Sequence, residues 1–124
     1  MEVFPERQGT EFDWFALDDA GEVAVFATAG FGPVPAQVRA ASEDHDAIGD
    51  RITATGWGTP NVWDSYAELG LFAYDWDEQR RCYSRVGQPS QPINEGLSVP
   101  LAAMALPRLA FSFRNSPFIA PDDA

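Results

Sequence analysis

Two stretches near the N-terminus, Glu11–Asp18 and Glu22–Thr28, are dense in aromatic and β-branched residues and flank the turn sequence Asp18-Asp19-Ala20-Gly21. This spacing predicts a β-hairpin in which Gly21 takes the positive φ that closes the turn. Apolar side chains fall on both faces of the first strand, with Phe12 and Trp14 on one and Phe15 and Leu17 on the other. Strands of that kind belong near the centre of a sheet covered on both sides. After the tight Ala29–Pro35 connection, Pro35 suits the first turn of a helix reaching about Ala47, with Val38, Ala41, His45 and Ile48 on its apolar stripe. Its polar side carries Glu43, Asp44 and Asp46, and acids late in a helix oppose the macrodipole.

Thr59-Pro60 reads as the start of a second helix, with Val62, Trp63, Tyr66 and Leu69 as its stripe and Gly70 as its stop. Leu71–Trp76 and Arg81–Val86 are predicted to pair across the polar turn between them. Gln88–Pro92 is extended, because residues before proline are pushed out of the helical region. Ser98 caps a third helix, Val99–Leu106, stopped by Pro107. Leu109, Phe111 and Phe113 alternate as a closing strand, and residues 121–124 form a frayed tail. The whole is expected to be one α+β domain spanning residues 1–124, a mainly antiparallel sheet of about five strands with two or three short helices on it.

The 124 residues are 45% hydrophobic and 22% charged, which suits a single globular core and excludes a wholly disordered chain. Apolar runs are cut by Gly and Pro before they reach membrane-spanning length, so no membrane partner is expected. The first residues have neither a basic nor an apolar leader region, and one cysteine, Cys82, forms no internal disulfide; a reducing cytoplasm is the expected location. The net charge is −11, which repels nucleic acid at long range. All eight basic residues are arginines, which excludes lysine-based chemistry. The field is uneven: residues 1–50 hold 11 acids against two arginines, residues 51–124 eight acids against six. An acidic half can simply confer solubility, or it can face a basic protein and speed association by 10- to 10³-fold.

Reactive groups are few. Any Ser-His-Asp or Cys-His system needs His45, the one histidine, and its neighbours Glu43, Asp44 and Asp46 are expected to favour the protonated form, a poor base. Cys82 reads as a buried small hydrophobe. The Glu43-Asp44-His45-Asp46 run with Asp50 has carboxylate and imidazole donors but matches no metal-site spacing. Asp75 with Asp77, or Asp18 with Asp19, could pair for acid-base work on a sugar, yet both read as turn residues. Gly30-Phe31-Gly32 imitates the start of a dinucleotide fingerprint without its third glycine. No cofactor is expected. Trp57 and Trp63 flank a Gly/Pro-rich loop, where tryptophan fills the core or anchors an interface.

Asp13-Trp14-Phe15-Ala16-Leu17-Asp18, Gly21–Phe26 and Thr28–Pro35 together make the pattern DWFxxDxxGxVAxFxTAGxGxVP. It resembles small bacterial immunity-like proteins of polymorphic and contact-dependent toxin systems, with weaker likeness through Gly70–Trp76, Tyr83–Val86 and Pro89–Ile93. The resemblance implies a cytoplasmic protein that neutralises a cognate toxin domain by tight binding, and it supplies no catalytic residue. The expected contact residues are Asp18, Asp19, Glu22, Glu43, Asp44, Asp46 and Asp50, with Trp57 or Trp63 as a central anchor. One rival is a ligand-binding or regulatory module with a pocket lined by Trp14, Phe26, Trp57 and Trp76. Another is a hydrolase or metal-dependent enzyme built around His45.

Overall fold

The structure, a computed structural model, describes residues 1–52, 55–56 and 58–123. Its main sheet is built from β2 (Asp13–Leu17), β3 (Val23–Ala27), β5 (Phe72–Asp77), β6 (Cys82–Gly87) and β7 (Phe118–Ile119), in that spatial order. β3 and β5 run parallel and every other neighbouring pair is antiparallel. A two-stranded sheet joins β1 (Glu2–Val3) to β4 (Pro33–Val34). Among the described residues, four short α-helices pack with the sheets: α1 (Ala36–Ala40), α2 (Ser42–Gly49), α3 (Val62–Glu68) and α4 (Glu95–Ala102). The α+β architecture is therefore as the sequence predicts, with one helix more.

The β2–β3 hairpin forms with Trp14 opposite Phe26, and Gly21 sits at φ +79° in its turn. Alternation then sends the two sets of side chains to different cores. Trp14, Phe26, Tyr74 and Tyr83 line one face, where Trp14 stacks on Phe26 at 4.1 Å and Phe26 on Tyr74 at 4.9 Å. Such aromatic pairs add about 0.5–1.5 kcal/mol each beyond their burial. Tyr83 meets Phe26 edge-on, takes a hydrogen bond from Trp14 Nε1 at 3.2 Å and donates one to the Pro33 carbonyl at 2.7 Å. The opposite face carries Phe15, Val23, Val25 and Ala73, covered by Ile48 of α2, Val62 and Tyr66 of α3, and Leu97 and Leu101 of α4.

Several predicted elements shift. β3 is interior, but β2 ends the sheet. Its outer edge is closed by other partners: the Phe15 N–H donates to His45 Nδ1, Leu17 N–H to the Pro107 carbonyl and Leu109 N–H to the Leu17 carbonyl. That pairing removes the hazard of an open sheet edge. The helix expected from Pro35 to Ala47 is broken at Ala41, φ −121°. Val38 packs into the aromatic core and Ile48 into the helix-covered one, so one straight helix could not serve both faces. α3 starts at Val62, because Thr59 is used in the preceding turn, donating to the Gly56 carbonyl and accepting from Asn61 N–H.

α4 begins at Asn94, whose side chain accepts from Gly96 N–H at 2.8 Å. The predicted cap, Ser98, instead lies inside the helix and bonds back to the Glu95 carbonyl; Pro100 is also internal. Leu109 and Phe113 are buried but form no closing strand. Phe113 N–H is taken by Asp18, and its carbonyl accepts from Tyr74 and Arg85, so side chains satisfy this backbone and β7 closes the sheet. Of the expected frayed tail at 121–124, residue 124 lies outside the described residues, while Pro121–Asp123 form a 3₁₀ turn whose Pro121 carbonyl accepts from the terminal amine of Met1. At Gly70, φ +86°, an added Cβ would lie 2.4 Å from Ile93 Cα, so this position needs glycine twice over. Among the described residues, no helix is long and apolar enough to cross a membrane.

Candidate functional site

The helix-covered face of the sheet, largely apolar, carries one mostly polar transverse row. Asp13 lies opposite Ala27, Ala27 beside Asp75, Asp75 opposite Ser84 and Ser84 opposite Phe118. The side chains of this row share one face. Asp13, Ala27 and Asp75 of this row form the floor of a cleft of about 420 Å³, walled by Val62, Trp63 and Tyr66 of α3 and by Thr59-Pro60, with Glu11 on its rim. A smaller cavity of about 180 Å³ shares Glu11, Asp13 and Tyr66 and adds His45, Asp46 and Asp50. Ala27 keeps the middle of the floor low between two acids whose Cα atoms are two strand spacings apart, roughly 10 Å.

The cost of this arrangement shows in its chemistry. Among the described residues, Asp13 Oδ1, His45 Nε2 and Ser84 Oγ are buried without a hydrogen-bond partner. Two belong to the polar row and the third to the adjoining cavity, although buried polar atoms in native proteins are nearly always paired. The Asp13 carboxyl is pushed up to about 8, first by burial and then by the neighbouring acids Glu11, Asp75 and Asp46. A carboxyl placed so, among other acids and away from water, keeps its proton at neutral pH. Asp75 is raised to about 6, by burial and then Glu11. Tyr66 is raised as well, by burial and then Asp13.

His45 behaves opposite to the sequence expectation. Burial, at 1% exposure, lowers it to about 4 and outweighs Asp44 and Asp46, which favour its charged form. Its Nδ1 accepts from Phe15 N–H at 3.1 Å, which places the ring proton on Nε2, and the ring stacks on Phe15 at 6.2 Å. His45 is thus a neutral edge-cap for β2.

The predicted contact acids do not share one surface. Asp18 is wholly buried: Oδ1 accepts from Ala20 and Glu22 N–H and Oδ2 from Phe113 N–H, so it braces the hairpin and is unavailable to a partner. Asp19 is exposed at the hairpin tip, while Glu22 is engaged by Arg114 at 3.0 Å. Glu43 and Asp44 are exposed in the first turn of α2, where acids complement the macrodipole, because the helix break makes that turn a beginning and not an end. Asp46 grips Arg7 with both oxygens, at 2.6 and 3.2 Å, and Asp50 is exposed beside the smaller cavity. Asp46 and Asp50 therefore lie near the Asp13 end of β2, opposite the Asp19–Glu22 end, a strand of five residues or roughly 15 Å away.

Trp63 is half-buried in the cleft wall beside Tyr66, with ring centroids 5.7 Å apart. Trp57 lies outside the described residues. Trp14 and Phe26 are fully buried in the aromatic core, with Trp76 nearly so, which rules them out as a pocket lining. Cys82 is half-buried and not a core residue. Asp77 caps its turn through Gln79 and Arg80 N–H, so Asp75 finds its companion in Asp13 across the sheet. Glu11, Asp13 and Asp75 were not singled out together by sequence reasoning. The available signal was an acid on an otherwise apolar strand face, at 13 in the series 13, 15, 17 and at 75 in the series 71, 73, 75.

Among the described residues, no three His, Cys, Asp or Glu side chains come together as a metal site. Compared with known proteins, the chain matches no family model, no curated protein and no solved structure.

Proposed function

We propose that this protein is a cytoplasmic bacterial immunity protein, neutralising a cognate toxin by stoichiometric binding, without turnover or cofactor. The observation that carries this reading is the concentration of acids around one cleft. Glu11, Asp13, Asp46, Asp50 and Asp75 line the cleft and the neighbouring cavity that shares its Glu11, Asp13 and Tyr66, and no arginine is among the described lining residues. An inhibitor needs a rigid surface of complementary charge with an aromatic anchor, and Trp63 stands in the cleft wall. The pattern in the hairpin that resembles immunity-like proteins agrees with this reading and contributes scaffold: Trp14 and Phe26 pack the core, and Gly21 turns the chain.

The test is co-expression with the toxin domain encoded beside this chain in its genome. Restored growth and an equimolar complex in size-exclusion chromatography are the expected results. Growth arrest that the chain leaves unrelieved, or a neighbourhood of metabolic genes alone, overturns the reading. Reversing Asp46 and Asp50 should slow association and weaken its salt dependence.

A second reading is a binding module for a small ligand, favoured by the cleft itself, whose 420 Å³ falls within the usual range for ligand sites. Calorimetry with small cationic and neutral ligands, in the absence of any protein partner, separates it from the first.

A further inference from the structure

We propose that the cleft between the Asp13–Ala27–Asp75 row and α3 receives the guanidinium of an arginine side chain presented by a basic protein partner. This rests on the reading of the protein as an inhibitor and gives that reading its docking point.

The protein already shows the required chemistry a few residues away. The Arg7 guanidinium is held by both oxygens of Asp46, and its central carbon lies 5.0 Å from the Phe12 ring centroid. Carboxylate below and aromatic face beside is the environment a planar, weakly hydrated guanidinium prefers. The cleft repeats that combination, with Asp13, Asp75 and Glu11 as acceptors and Trp63 and Tyr66 as aromatic walls, but it holds no cation of its own among the described lining residues. Two acids flank the small Ala27, and a forked donor is the group that can address both; an ammonium offers a single point of charge.

A second observation stands apart from the acids. His45 is 1% exposed, its Nε2–H has no acceptor, and it lies in the wall of the cavity that joins the cleft. The peptide carbonyls flanking an incoming arginine supply the acceptor class this wall lacks, which favours a chain-borne arginine over a free cation.

Facing Asp13 are Glu11 on its own segment, Asp75 on β5, Asp46, Asp50 and His45 on or beside α2, and Tyr66 on α3. His45 is neutral through the neutral range, so the acids set the response. An entering guanidinium replaces the proton that Asp13 holds, and binding therefore releases a proton and strengthens as pH rises from 6 to 8.

The probe is N-acetyl-arginine amide, titrated into the intact protein and followed by the Trp63 indole and backbone amide resonances, with N-acetyl-citrulline amide as the uncharged counterpart. The expected result is saturable binding with a Kd of roughly 1–10 mM, the strength of one charged contact pair, and at least tenfold weaker binding of citrulline. Glu11→Gln, at an exposed position, and Asp75→Asn should each weaken arginine binding severalfold, and Asp13→Asn should remove the pH dependence above pH 7, leaving only that of Asp75 near pH 6. Absent binding, equal binding of the citrulline amide, or shifts confined to another surface overturns the proposal. The two readings fail separately. A toxin bound with unchanged affinity by Glu11→Gln and Asp75→Asn leaves the inhibitor standing and removes the arginine site. Arginine bound in the cleft of a protein that neutralises no toxin does the reverse.

Discussion

Replacing Asp18 separates a structural acid from a recognition acid. Its carboxylate accepts three backbone N–H groups, from Ala20 at 3.0 Å, Glu22 at 2.8 Å and Phe113 at 3.0 Å. In Asp18→Asn the amide oxygen can keep the two turn contacts, but the amide nitrogen cannot accept from Phe113. That N–H is buried, and water cannot replace the lost partner. A hydrogen bond to a charged group is worth about 1.5–3 kcal/mol, so Asp18→Asn should cost about 2 kcal/mol. Asp18→Ala loses all three acceptors, though the two turn amides are partly open to water, and should cost about 3–5 kcal/mol. The assay is urea unfolding followed by tryptophan fluorescence, with m compared between variants so that a change in midpoint reads as stability. A 2 kcal/mol loss corresponds to roughly 5–10 °C in Tm for a domain of this size. Both variants within about 0.5 kcal/mol of the parent would refute the brace, because surface substitutions away from such features fall in that range. Partner affinity measured where the Asn variant is still folded should be unchanged, since the side chain does not reach the surface.

Three further predictions concern the row and the core. Asp13, raised from 3.8 to about 8, lets the folded state keep a proton that the unfolded chain loses above pH 4; its contribution is full below pH 4 and lost as pH rises through 8. Asp13→Asn should therefore match the parent near pH 4 and exceed it at pH 8 by on the order of 3 kcal/mol in chemical unfolding, and equal stability at both pH values defeats the argument. His45, lowered from 6.5 to about 4, has the opposite slope, its contribution being present above pH 6.5 and lost towards pH 4, so His45→Gln should lose most relative stability at neutral pH and least in acid. Tyr83→Phe strands Trp14 Nε1 and one acceptor contact of the Pro33 carbonyl in the core and should cost about 1–3 kcal/mol, read by thermal unfolding; a neutral result means those groups find other partners.

The hairpin, the turn at Gly21, the β5–β6 pair, the stop at Gly70 and the α+β class were legible in the chain because each depends on contacts between near neighbours or on the conformational range of one residue. Helix boundaries were less so. Asn94 and Ser98 are both competent caps, and the choice between them is made by what α4 buries, Leu97 and Leu101, against the sheet. The break at Ala41 likewise arises from two cores drawing Val38 and Ile48 to different faces.

The charge imbalance belongs to the sequence, and so does the poverty of nucleophiles. Their arrangement does not. Asp18 and Asp19 are neighbours in the chain, yet one is buried under backbone donors and the other faces water. Asp13 and Asp75 are 62 positions apart and meet across Ala27 because β3 and β5 pair in parallel in one register. Composition determines how many carboxylates the molecule must solvate. Only strand order decides which of them are placed where solvation fails, and a carboxylate that water cannot reach must hold a proton, find a cation or, like Asp18, be met by backbone N–H donors.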